Sequence, residues 1–155
     1  MDLGMESGLI PDSDITASSE KNANTAAKNG RLNYTSGSSW CAATSDSNPY
    51  LQIDLQTLHI ICAVSTQGNS QADQWVKTYN LKLSTDGSTW TNYKEGGQVK
   101  VRSYYIVHCI ENKASHERVP MDVDQAMAGL LSSIRGCRTS HYKFVKIQIS
   151  SVSKM

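Results

Sequence analysis

The chain has little charge to spare, few aromatics and no long apolar run. Charged residues make up 19% of its 155 positions, aromatics 7%, and the formal net charge is +1. That balance gives no general attraction to nucleic acid or to an anionic bilayer. No apolar stretch approaches the roughly 20 residues that a spanning helix needs. The opening Met1-Asp-Leu-Gly-Met-Glu-Ser lacks the basic and apolar regions of a secretory leader, so these residues fit a cytosolic protein or a piece of an exported one. The four cysteines, Cys41, Cys62, Cys109 and Cys137, include no close pair. A zinc pattern is thereby excluded, and zero, one or two disulfides stay open. Gly-x-Ser-x-Gly, His-Glu-x-x-His and phosphate-loop motifs are all missing. His108 and Cys109 are neighbours in a strand-like run, which points them to opposite faces and not at one another. The expectation is a protein without catalytic activity.

What is present favours strands. Ser, Thr, Asn and Gln are abundant, and 155 residues suffice for one core without metals or staples. Leu51, Ile53 and Leu55 alternate with Gln52, Asp54 and Gln56, the period-two mark of a strand with one wet and one buried face. Leu58, Ile60, Cys62 and Val64 continue one parity, with Ile61 and Ala63 adding apolar bulk, as under a second layer. Within this apolar run Cys62 is expected as a buried thiol. In the segment 75–84, Tyr79, Leu81 and Leu83 alternate with Asn80, Lys82 and Ser84. Asp86-Gly87 signals a tight turn and Trp90-Thr-Asn-Tyr93 a returning strand, a hairpin with its aromatics toward the core. Trp40, Trp75 and Trp90 each neighbour a strand signal and are expected in or near the core.

Polar loops separate these elements. Pro11-Asp12 is a turn that feeds a short strand around Ile15. Residues 20–30 and 68–74 show no period and read as exposed loops, the first with a helical turn near residues 25–28. Asn33-Tyr34-Thr35 is an N-glycosylation sequon, usable if the chain is exported. Beyond about residue 101 the character changes. Seven Lys and Arg stand against ten Asp and Glu through Lys100, and eight against four after it. Residues 101–110 and 142–149 read as strands, whereas 121–135 has helical spacing at Val123, Met127, Leu130, Leu131 and Ile134, with Asp122 as N-cap and Gly136 as stop.

Several motifs, in order, resemble one family: Gly4-Met5, Ile10-Pro-Asp12, Ile15-Thr-Ala-Ser-Ser19, Ala27-Lys28, Gly30-Arg-Leu32, Trp40-Cys41, Tyr50-Leu-Gln-Ile-Asp-Leu55, Thr66-Gln-Gly68 and Ser84-Thr-Asp-Gly87 with Trp90. They look like the discoidin domain, also called the coagulation factor five/eight type C domain, over residues 2–101. The resemblance implies an all-β, antiparallel jelly-roll sandwich with ligand loops at one end. Residues 102–155 are then a divergent tail that completes the sandwich, with an inserted helix near 121–135. Members usually join their termini by a disulfide, but Asp2 precedes Leu3 here and Lys154-Met155 stand at the other end. After Val101, Arg102-Ser103-Tyr104 replace the family's Phe-x-Gly-Asn-x-Asp stretch. Members with the Trp-Cys pair bond that Cys to another near the domain's end, which makes Cys41 with Cys137, or with Cys109, the implied disulfide.

Ligands of the family include anionic phospholipid, galactose and other glycans, collagen, and proteins at cell surfaces. The loop residues implied to bind are Lys21, Asn22, Asn24, Thr25, Asn69, Gln71 and Asp73. Lipid-binding members carry apolar tips at these loops, so membrane insertion is disfavoured. Collagen-binding members share the wording of residues 25–28 and 54–59, yet carry Trp in place of Lys21 and Arg in place of Asn69. Amide, hydroxyl and ammonium groups suit a glycan or protein instead. Arg31 is expected to be a structural ion-pair partner beneath the loops. No cofactor is expected; calcium, as in some members' loops, would draw on Asp46 and Asp73, although no spaced oxygen-ligand motif is present. The expected function is non-catalytic, extracellular ligand binding in cell-surface or matrix adhesion. The alternatives are a carbohydrate-targeting module of a larger secreted enzyme, or phospholipid or collagen binding.

Overall fold

The computed structural model describes residues 3–61, 63–64, 66–69, 71–72, 75–95, 98–99, 101–103, 134–135 and 141–152. Its strands are β1 (Ile15–Ala17), β2 (Tyr50–Ile60), β3 (Ala63–Val64), β4 (Val76–Ser84), β5 (Thr91–Asn92), β6 (Lys94–Glu95), β7 (Gln98–Val99), β8 (Val101–Ser103), β9 (Ile134–Arg135) and β10 (His141–Val152). The largest sheet runs β1-β2-β10-β4-β5, with β8 also on β4, and all its pairs are antiparallel. Two-stranded pairs β3-β9 and β6-β7 accompany it. β10, from far along the sequence, lies in the middle: Val145 stands opposite Ile53 on one side and Leu83 on the other.

The core follows from the alternation. Leu51, Ile53 and Leu55 of β2 and Tyr79, Leu81 and Leu83 of β4 are buried, while Gln52 and Lys82 turn outward. Trp40, Met5, Leu51, Ile53 and Val145 are fully enclosed, and burial of each such side chain contributes about 1.5–3 kcal/mol. Trp40 also satisfies its polar edge, donating from Nε1 to the Ser19 carbonyl at 3.0 Å.

Three expectations change. Leu58, expected on a buried face with Ile60, is 54% exposed. The cause is Gln56, a non-glycine residue in the left-handed region (φ 64°) whose N–H donates to Asp54 Oδ1 at 2.7 Å. There the register with β10 jumps from Asp54 opposite Phe144 to His59 opposite Tyr142, and Gln56, Thr57 and Leu58 bulge outward. The helix expected over 121–135 is extended at its end, since Ile134–Arg135 pairs with Ala63–Val64; sheet pairing overrides helical spacing at a β-branched residue. The rest of that segment lies outside the described residues, as do Cys62 and 104–110. Finally, the hairpin expected at Asp86-Gly87 forms, but over a longer connection than a tight turn. Leu83 pairs with Thr91, and the longer loop is folded by the Asp86 carboxylate, which accepts from the N–H groups of Ser88 and Thr89 and from the Ser84 hydroxyl.

Candidate functional site

Both polar loops pack on the same stretch of chain. In the first, Ala23–Thr25 forms a 3-10 turn capped by Asn22: Asn22 Oδ1 accepts from Asn24 N–H at 2.9 Å, and Thr25 Oγ1 accepts from Asn22 N–H at 3.2 Å. Lys21 N–H donates to the Cys41 carbonyl at 2.8 Å and Cys41 N–H to the Thr25 carbonyl at 3.3 Å. The loop therefore runs beside residues 38–41 like a short ladder. In the second loop Asn69 reaches the same stretch, its Oδ1 accepting from Ser39 Oγ and its Nδ2 donating to Ser38 Oγ, each at 3.4 Å. Gln71 N–H donates to that Asn69 Oδ1 at 3.0 Å.

A layer of side-chain hydrogen bonds supports the first loop. Asn29, 4% exposed, donates through Nδ2 to the carbonyls of Asn24 and Ser38, and Glu20 Oε1 accepts from Ala27 N–H at 2.7 Å. Below this layer Arg31 acts as expected. Its guanidinium donates to the Met5 and Ile10 carbonyls and pairs with Asp12 Oδ1 at 2.8 Å. Hydrogen bonding from Arg31 holds the Asp12 carboxyl below its ordinary range.

The candidate residues thus divide by role. Lys21, Asn22, Asn24 and Gln71 are exposed at the loop surface. Thr25 is 4% exposed and turned inward on the Asn22 backbone, where it shapes the loop. Asn69 is half-buried and ties the second loop to Ser38 and Ser39. Asp73 lies outside the described residues. Asn33 is exposed in a left-handed turn (φ 52°), its N–H donating to Gln67 Oε1 and its Nδ2 to Glu6 Oε1.

Cys41 is buried, with Sγ 3.4 Å from the Ala42 carbonyl. Burial pushes its thiol pKa up, with Lys21 opposing. Cys109 and Cys137, its implied partners, lie outside the described residues. Asp46 is engaged structurally: Oδ2 accepts from the Ser18 and Ser19 hydroxyls and Oδ1 from Asn48 N–H. Burial disfavours its charge, but these bonds outweigh burial and hold its pKa below the ordinary value. Among the described residues no three His, Cys, Asp or Glu side chains gather as a metal-holding group, and no helix is long and apolar enough to cross a membrane.

Sequence reasoning missed the supporting residues Ser38, Ser39 and Asn29. Their types carry no periodicity, and only the Trp40-Cys41 motif marked the stretch. The tryptophans also separate. Trp40 is in the core, Trp75 is half-exposed, and Trp90 stands on the outer face of the sheet beside Phe144 and Lys146. Of the hairpin aromatics expected inward, Tyr79 and Tyr93 pack with the core and Trp90 does not.

Two polar loops thus stand on one supporting stretch, residues 38–41, beside an antiparallel β-sheet. Comparison gives the family: the F5/8 type C domain model matches residues 14–119, and the chain belongs to this family. The match runs past the change of character near residue 101. Human epithelial discoidin domain-containing receptor 1 is 41% identical over 100 residues, covering 60% of this chain and 11% of the receptor. Human neuropilin-1 is 38% identical over 100 residues, covering 62% and 11%. The chain thus spans only about a tenth of these relatives' length. Among solved structures, discoidin II of Dictyostelium discoideum superposes with a TM-score of 0.59 at 20% identity, covering 90% of this chain and 49% of that one. Chitosan-binding module 1, from a chitosanase/glucanase of Paenibacillus sp. IK-5, superposes at 0.52 with 12% identity, covering 89% and 82%. These likenesses show the sandwich fold.

Proposed function

We propose that the chain is a non-catalytic, extracellular ligand-binding module that supports cell-surface or matrix adhesion, taking a glycan or protein ligand on its polar loops. The observation that carries this reading is the shared anchorage of the two loops. Lys21, Asn22, Asn24 and Gln71 project from segments tied to residues 38–41, so their ordering cost is largely met before a ligand arrives. Their chemistry, one ammonium and three amides, matches hydroxyls and carbonyls, and no large apolar side chain stands among them. Membership alongside a discoidin domain-containing receptor and structural likeness to a chitosan-binding module support the same class.

A glycan array and anionic liposomes, probed with the wild type and with Lys21→Ala, Asn24→Ala and Gln71→Ala, test the reading. Loss of one direct hydrogen bond to an uncharged ligand group should weaken binding roughly 3- to 10-fold per substitution. Liposome binding that survives high salt and ignores all three substitutions would refute it.

A further inference from the structure

The largest sheet carries, on the face away from the core, a set of groups that the loops do not use. One row crosses four strands: Gln52 on β2 stands opposite Lys146 on β10, Lys146 opposite Lys82 on β4, and Lys82 opposite Asn92 on β5. With neighbouring strands about 4.8 Å apart, the row is about 14 Å long. Two lysines directly opposite one another repel, an arrangement disfavoured in a sheet. Neither ammonium is within ion-pair reach of a carboxylate among the described residues. Asp54, in the next row, is already held by Lys143 Nζ at 3.5 Å and by Gln56 N–H.

Aromatic rings flank Lys146. Lys146 Nζ lies 3.9 Å from the Trp90 ring centroid and 4.3 Å from that of Tyr50, and Trp90 meets Phe144 edge-on at 6.5 Å. Burial, and then the charge of Lys82, pull the Lys146 pKa below its ordinary value. An anion settling beside the two ammonium groups would relieve the repulsion that the fold leaves in place.

We propose that this row is a binding surface for a sulfated polysaccharide. Lys82 and Lys146 neutralise sulfate, the flanking amides of Gln52 and Asn92 reach sugar hydroxyls, and the exposed parts of Trp90 and Tyr50 contact sugar C–H faces. An acidic peptide would also answer the charge. However, the middle of a sheet face offers a peptide backbone no ladder to join, and amides pressed against it would go unpaired. A sugar chain has no backbone ladder to complete, and its hydroxyls can turn to the Gln52 and Asn92 amides or to water.

The test measures binding of the full chain to a sulfated heparin oligosaccharide, its desulfated counterpart and poly-glutamate, at low and physiological salt. Expected are salt-sensitive binding to the sulfated chain and weak binding to the other two. Lys82→Glu should lose at least roughly tenfold in affinity, the scale of one charge-assisted contact. Lys82→Arg should retain binding. Should Lys82→Glu fail to melt cooperatively, Lys82→Gln replaces it with an expected loss of a few-fold. No binding at low salt, binding unchanged by loss of the Lys82 charge, or equal binding to the desulfated chain would overturn the proposal. Poly-glutamate binding as tightly as the sulfated chain would also overturn it and assign the surface to an acidic protein segment.

Discussion

Replacing Arg31 with alanine should destabilise the domain by about 3 kcal/mol, and most of that loss should come from two carbonyls and not from the salt bridge. The guanidinium donates to Met5 O at 2.8 Å and to Ile10 O, and its side chain is only 11% exposed. Bonds from a charged donor contribute about 1.5–3 kcal/mol each, and water reaching the orphaned carbonyls recovers part of this. Asp12, by contrast, is 57% exposed, and a pair so open to solvent contributes less than about 1 kcal/mol. A loss of 3 kcal/mol corresponds to roughly 6–12 °C in melting temperature for a chain of this size. Thermal and urea melts of the wild type, Arg31→Ala, Asp12→Asn and the double variant separate the two parts. The pH gives a second handle. The folded pKa of Asp12 is depressed, so its contribution is present above the ordinary value near 3.8 and is lost as pH falls through the folded value. The carbonyl bonds do not titrate, and the Arg31→Ala deficit should therefore persist down to about pH 3. Equal losses from Asp12→Asn and Arg31→Ala, or a deficit that vanishes in acid, would refute this account.

Three further outcomes follow from the fold. Val145→Ala, in the enclosed centre of the sheet, should cost about 1.5–3 kcal/mol by urea titration, and Val145→Asp should abolish cooperative unfolding. Gly87→Ala should lower stability by about 1–2 kcal/mol, because φ is 76° and a Cβ would stand 3.2 Å from the Phe144 ring; Gln56→Gly, relieving the same kind of backbone, should be neutral or stabilising in a thermal melt. Asp86 is held far below the ordinary carboxyl range, first by Thr89 N–H, then by Ser88 N–H and the Ser84 hydroxyl. Its contribution is present above pH 3.8 and fades as pH falls through the folded value, so Asp86→Asn should flatten the acid side of the stability profile.

The fold was legible where periodicity and burial coincide, as at residues 50–55 and 79–83, because the side-chain period of a strand survives any tertiary context. It was illegible where one backbone torsion breaks that period. Nothing in the letters around Gln56 announces a left-handed residue, so the outward bulge that takes Leu58 away from the apolar run of Ile60 and Ile61 could not be read. The loops were recognised from composition and resemblance, yet composition cannot separate presenting residues from supporting ones. Thr25 and Asn24 are adjacent polar residues with opposite fates, one capping inward and one exposed. Trp90 was misplaced for a related reason. An aromatic beside a strand signal is usually packed on the core, and only the parity of Lys146 on β10, a strand separated from it by more than forty residues, shows that its partners are on the outer face.

The position of β10 also sets the order of events during synthesis. β2 and β4 are complete by residue 84, but the strand that joins them is not made until residues 141–152 emerge from the ribosome. Until then each has a long unpaired edge, the surface on which strands recruit neighbours from other chains. Closing the sheet requires a contact spanning most of the sequence, a slow step by its loop-closure entropy. The nascent chain therefore passes through a period in which its most apolar strands are made but unmatched, and protection in that interval has to come from outside the sheet.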